Sequence, residues 1–289
     1  MAESQPLHPA YRLSGLARPV DPTYSTNMAM AVLAVVGIVV AAIYAFVGGA
    51  NPGAALLTGL NVGLIVFFSW ALTRELSPDD NPAAFVAVAL ALAVWPRVGA
   101  QSILLLAAAL LAARLVNRST GKAAELGDTA LATVGFAALA WWVSWTVGVV
   151  GAVALSLDAV LARPGDQPAR RRHLGCAVGL ALVTAARVIV GVEAPKLPAH
   201  LPVFASIAGL CALAVLLYPR PSSVGDVDRR PLSRARVRGG LAMGLLAAAL
   251  VSLDGGIELE RAAALWACVL AVPLGLPIVA LRRRSSNKR

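Results

Sequence analysis

Lysine is nearly missing from this chain: Lys122, Lys196 and Lys288 are the three in 289 residues. Acidic side chains are also few, fifteen against twenty-five basic ones. Charged residues of every kind make up 14%, where an ordinary soluble domain carries about 25%. There is no phosphate-cradling glycine–lysine loop and no His-Glu-x-x-His pair, so neither a nucleotide site of that type nor helix-borne zinc ligands are written here. The three cysteines, Cys176, Cys211 and Cys268, each stand alone in an apolar run. That excludes a disulfide framework or a thiolate cluster and leaves them as small packing residues. His8, His173 and His200 are scattered among tails and loops and read as surface side chains. The opening residues 1–27 are polar and proline-containing. They lack the short basic stretch and hydrophobic core of a cleavable signal peptide.

What fills the chain instead is apolar: 58% hydrophobic residues and a mean hydropathy of +0.75. A soluble fold of this length must cover its surface with polar groups and has no place for so much greasy side chain. The solvent is therefore lipid for most of the chain. Inside a bilayer every backbone N–H and C=O needs an internal partner, so only helices or a closed barrel are available. Barrel strands alternate apolar and polar residues, whereas these runs are continuously apolar and rich in Ala and Leu. The expected fold is all-α, a polytopic integral membrane protein.

About ten transmembrane helices are expected, over 28–47, 54–72, 83–95, 98–113, 129–143, 148–161, 173–192, 201–218, 239–253 and 262–281. Residues 1–27 form an N-terminal tail, 28–281 a single helical domain with a polybasic linker at 219–238, and 282–289 a basic C-terminal tail. With ten crossings both termini share a side. The loops on that side hold twenty-one of the twenty-five basic residues, and the opposite loops hold Arg97, Lys196 and Arg261. Basic loops stay cytoplasmic, so both termini are expected in the cytoplasm and the protein in a bacterial-type inner membrane. The net charge of +10 then reflects topology and attraction to anionic lipid, worth about 1 kcal/mol per basic residue near the surface. Nucleic-acid binding is not implied.

The stretch from Leu72 to Asp128 concentrates the candidate chemistry. Arg74, Glu75, Asp79 and Asp80 lie before the segment 83–95, which breaks at Pro96-Arg97 before 98–113. Paired carboxylates at Asp79 and Asp80 suit a Mg²⁺ ion bridging to a phosphate. They equally suit a helix start, with Asn81 as cap and Pro82 in the first turn. Arg114, Asn117 and Arg118 fall within one helical turn and can share a face. Two guanidiniums and an amide there suit a phosphate or carboxylate, or else anchor a helix end that stops at Gly121. The hairpin between the two clusters brings them out side by side, either as an ion-pair network or as the rim of a pocket. Within the later spans Arg187 and Asp254 share a depth and form a candidate intramembrane pair.

Three functions fit these features. The first is transport of a small molecule or lipid across the membrane, for which small and kinked helices are suited. The second is an enzyme acting on a phosphate-bearing lipid or isoprenoid at the cytoplasmic face, with Asp79 and Asp80 on Mg²⁺ and Arg114 and Arg118 on phosphate. The third is a non-catalytic membrane scaffold in which each polar feature caps or anchors.

Overall fold

A computed structural model of the chain describes residues 8–195, 197, 201–255 and 259–286. Lys196, His200, Lys288 and Arg289 lie outside the described residues. Among the described residues there is no β-strand, and an isolated bridge joins Val224 and Pro231.

A one-turn helix, α1 (Ala10–Leu13), precedes α2 (Ser25–Val47), α3 (Pro52–Leu76), α4 (Asn81–Val98), α5 (Ile103–Asn117) and α6 (Leu126–Trp142). These are followed by α7 (Trp145–Val160), α8 (Gln167–Val190), α9 (Leu201–Leu217), α10 (Arg234–Val251) and α11 (Ala263–Ser286). Four stretches, Ser25–Val47, Pro52–Leu76, Asn81–Val98 and Pro164–Val190, are long and apolar enough to cross a membrane. Such helices make this a helical membrane protein in general type. The shorter Ile103–Asn117, Trp145–Val160 and Leu201–Leu217 are also apolar.

Local chemistry explains the element ends. Asn51 accepts the Ala54 amide and Pro52 fills the first turn of α3. Asp80, not Asn81, caps α4 through the Ala83 amide, one residue earlier than expected. That helix also runs through Pro96 to Val98, so the expected break at 96–97 lies three residues later. Proline lacks one amide and clashes one turn back. The helix does not outlast it by a full turn: α4 stops at Val98, with Gly99 at φ +69° after it. At the far end of the chain α11 continues to Ser286, past the boundary at 281 expected for a tail.

Loop contacts sort the connections into two groups. The stretches 77–80, 118–125, 161–166 and 219–233 meet one another at one end. At the opposite end Gln101 and Asn61 exchange amide hydrogen bonds of 3.1 and 3.0 Å, and the Gln101 side chain accepts the Ala264 amide at 3.0 Å. Ser102 there donates to the Arg261 carbonyl. Most basic loops thus share one end, called the basic end below.

Packing is close because glycines sit at the helix crossings. On α3, Gly59 and Gly63 lie against Ile38 of α2 so tightly that a Cβ would meet its backbone oxygen or side chain within 2.5 Å. A core of small and branched side chains runs through α3, α4, α5, α7, α10 and α11, with Ile65, Leu72, Leu115, Leu155 and Leu241 fully buried. By contrast α2 buries only Asn27, Met30 and Ala41. Its Val35, Val40 and Ile43 are each more than half exposed, the condition of a helix whose outer face meets lipid.

Residues 8–24 are not a free tail. Thr120 donates to the Gly15 carbonyl at 2.6 Å, the Gly15 amide donates to Asp128 at 2.7 Å, and Lys122 reaches the Tyr11 carbonyl at 3.0 Å. The segment lies as a strap across the basic end. The polybasic stretch 219–238 is likewise ordered. Asp79 accepts from the Ser222 and Ser223 amides and the Ser223 hydroxyl, and the Asp226 and Val227 amides donate to the Ser119 and Thr120 carbonyls.

Candidate functional site

Two polar clusters form at the basic end, and they divide the residues expected to act together. The first centres on Asp158, near the end of α7. Its carboxylate accepts from Arg118 Nε and Nη2 at 2.7 and 2.8 Å and from Arg236 Nη1 at 2.7 Å. His173 Nδ1 lies 2.7 Å from its other oxygen, and His173 Nε2 lies 3.0 Å from the Thr129 hydroxyl. Arg118 also pairs with Asp166, and Arg236 donates to the Val116 and Leu161 carbonyls. Asp158, His173 and Thr129 are each no more than 1% exposed. Ions this deep persist only when paired and hydrogen-bonded throughout, and here two guanidiniums meet two carboxylates.

The Thr129 hydroxyl has one proton and two neighbours, the imidazole and the Glu125 carbonyl at 2.8 Å. It donates to that carbonyl, which also accepts the Thr129 amide. Thr129 on α6, Asp158 on α7 and His173 on α8 are all buried, and their contacts tie the three helices together. His173, expected at the surface, is therefore a buried connector, because the first turns of α8 carry it inward past exposed Arg170 and Arg171. Arg236 is equally misread as part of a lipid-attracting linker. The sequence signal for this cluster was Asp158 itself, an acid late in an apolar segment, which requires a partner at that depth.

The second cluster centres on Glu75, the penultimate residue of α3 and 1% exposed. Its Oε1 receives Arg18 Nη1 at 3.0 Å and the Ser119 hydroxyl at 3.1 Å, with Arg114 Nε 3.4 Å away. Arg18 also grips Asp226 through Nε at 2.8 Å. Burial opposes the charge of Arg18, yet the two carboxylates raise its pKa above the ordinary arginine value. The same balance holds at Arg118, where burial is overcome by Asp158 and Asp166. Both cations are held charged by their neighbours.

Arg114, Asn117 and Arg118 do not present one face. Arg118 leaves the helix in the left-handed region, φ +49°, which turns its fork toward Asp158 while Arg114 stays with Glu75. A non-glycine residue in that region costs about 1–2 kcal/mol, offset here by the ion pairs. Asn117 is 2% exposed and donates to the Glu75 carbonyl, tying α5 to α3. Gly240 on α10 allows it: a Cβ there would lie 2.0 Å from the Asn117 amide oxygen.

Asp79 and Asp80 turn to different partners. Asp80 caps α4, and Asp79 clamps 222–223. Burial tends to raise the Asp79 pKa, but the Ser222 and Ser223 donors bring it below the usual aspartate value. Among the described residues no group of three or more His, Cys, Asp or Glu side chains is placed to hold a metal ion. The expected Arg187–Asp254 pair also takes a different form. Arg187 donates to the Trp141 and Gly191 carbonyls, while Asp254 accepts from the Ser144 hydroxyl. Carbonyls left free at the C-terminal ends of α6 and α8 are nearer partners for that guanidinium.

Arg74 stands apart from these pairs. It donates from Nη1 to Asn27 at 2.9 Å and lies 4.8 Å from the Trp70 ring centre. Among the described residues it forms no ion pair with a carboxylate. A cavity of about 190 Å³ opens beside it, lined by Arg18, Arg74, Pro78, Ser119, Ser223 and Asp226, among others.

Two buried hydroxyls of α3, and an amide farther along it, lie on the far side of Arg74 from the basic loops. Thr73 and Ser69 are one turn apart and share a face, while Asn61 lies eight residues before Ser69 with buried Ile65 between them. Thr73 and Ser69 are fully buried, beside Cys268 of α11, and Asn61 bonds to Gln101. The spacing of 61, 69 and 73 was available in the sequence, but neutral side chains in an apolar helix were outweighed by the charged loops. No family model, no curated protein and no solved structure matches this chain.

Proposed function

We propose that this protein moves a small molecule or lipid across a bacterial-type inner membrane. In this reading it has ten spans, and both termini and the basic end face the cytoplasm. Anionic lipid headgroups meet exposed Arg170, Arg229 and Arg230. The observation that carries the proposal is the pair of buried hydroxyls, Ser69 and Thr73, one turn apart on α3. Thr73 precedes the cavity-lining Arg74, and the Gln101–Asn61 amide pair lies eight residues, about 12 Å of helix, beyond Ser69. Buried hydroxyls within an apolar bundle are costly unless something polar meets them, and a passing polar group does so.

Purified protein in liposomes tests this. Scrambling of labelled lipid and uptake of a labelled solute panel are compared with empty liposomes, for the native chain and for Ser69→Val with Thr73→Val. The expected result is flux in one of the two assays, reduced at least tenfold in the variant with an unchanged melting temperature. Flux no greater than in empty liposomes in both assays overturns the proposal.

A scaffold is the second reading, favoured by the Asp158 cluster, whose charges are matched internally and reach no substrate. The enzymatic reading has less support, since the aspartates it asks to hold Mg²⁺ are engaged in a helix cap and a loop clamp.

A further inference from the structure

We propose that the cavity beside Arg74 is a binding site for a phosphate group. The proposal rests on the transport reading and deepens it, because it assigns a chemical class to what meets the buried hydroxyls of α3.

Charge comes first. Of the charged residues that line the cavity, Arg18 and Arg74 are positive and Asp226 is negative. Two positive charges against one negative leave one positive charge over. It belongs to Arg74, because Arg18 is shared by Asp226 and Glu75 and Arg114 turns to Glu75. Asp226 would repel an anion on its own, but Arg18 holds it on the cavity wall.

Geometry comes second. Arg74 uses one amino group on Asn27 and rests on the Trp70 face. This fixes the guanidinium and leaves further N–H donors on a planar fork suited to two oxygens of one oxyanion. A cation partly removed from water beside an aromatic face attracts an anion more strongly than one in bulk water.

Size comes third. A volume of about 190 Å³ equals roughly six waters at about 30 Å³ each. Drug-sized ligands occupy about 300–1,000 Å³, so the space takes a headgroup or a free ion rather than a whole lipid. Neighbouring hydroxyls, Ser119 on Glu75 and Ser223 on Asp79, have their protons committed. Recognition therefore falls on the guanidiniums.

The phosphate belongs either to a free ion or to a lipid headgroup, and two arms separate them. In the first, inorganic phosphate is titrated into detergent-purified protein by calorimetry. In the second, the protein is placed in nanodiscs of neutral phosphatidylcholine with or without phosphatidic acid, and the melting temperature is read. The variants are Arg74→Gln and, as a control of equal charge change at an exposed site of the same end, Arg171→Gln.

Binding in either arm, weakened at least tenfold by Arg74→Gln and less than twofold by Arg171→Gln, is the expected result. Binding in the first arm identifies the free ion, and binding in the second alone identifies the headgroup. No response in either arm overturns the site, as does equal weakening by the two variants, which marks a general surface field. The liposome flux assay separates this from the transport reading. Flux without phosphate binding removes the site and keeps transport; phosphate binding without flux does the reverse.

Discussion

The Asp158 and Arg74 clusters lie at the same end of one helix bundle and are built from the same residue types, yet they have opposite character. Around Asp158 the guanidiniums and carboxylates balance, water is excluded and polar atoms close on one another. Beside Arg74 the charges do not balance and a cavity remains. A buried ion must be neutralised by the chain itself, so the first arrangement is fixed by stability. A part-buried ion that still meets water is tolerated without a carboxylate of its own, so the second is free to serve a ligand. Complete internal pairing indicates structure, and a surplus charge beside open space indicates binding.

The harshest way to break that contrast is Asp158→Ala. It leaves Arg118 and Arg236 buried together without their shared carboxylate, and removing one partner of a buried pair costs about 3–5 kcal/mol. Thermal unfolding in detergent should show a large drop or loss of folded protein; a change under about 1 kcal/mol would refute the structural role. Gly240→Ala comes next. Its methyl group meets the Asn117 amide, and overpacking of this kind costs about 1–3 kcal/mol. Near-native melting would mean that α10 and α5 are not held so close.

The loop between the clusters sharpens the comparison through pH. The folded-state pKa of Asp79 is depressed, so its contribution is complete above the unfolded value of about 3.9. It is lost as pH falls through the lower folded value. Hydrogen exchange of the Ser222 and Ser223 amides, corrected for intrinsic rates, should stay flat from neutral pH to about pH 4 and quicken below it. Loss of protection near pH 6 would contradict this. The smallest expected effect on stability is that of Arg74→Gln, within about 0.5 kcal/mol, because no carboxylate among the described residues depends on it. A destabilisation comparable to that of Asp158→Ala would make Arg74 one more structural cation and erase the distinction.

Particular residues show how far the chain could be read before its fold was known. The helical segments were legible from continuous apolar runs, to within a few residues at most ends, and the hairpin between them places Arg114 beside Glu75. Ambiguity concentrated where several donors compete for one carboxylate. Arg118 lies four residues from Arg114, yet its left-handed backbone sends it to a carboxylate forty residues away. His173 looks like a loop residue until α6 and α7 close over it. Asp79 and Asp80 are adjacent in sequence but serve different elements, because Asp80 terminates a helix while Asp79 stays in the loop.

Composition and periodicity alone determined that the chain is helical, that its solvent is lipid and that its cations collect on one set of loops. These follow from transfer free energies and backbone hydrogen bonding, which act residue by residue. Tertiary structure alone decided which guanidinium meets which carboxylate and which one is left over. Ion pairing depends on distances of a few ångströms between segments far apart in sequence, and those distances exist only after the helices have packed.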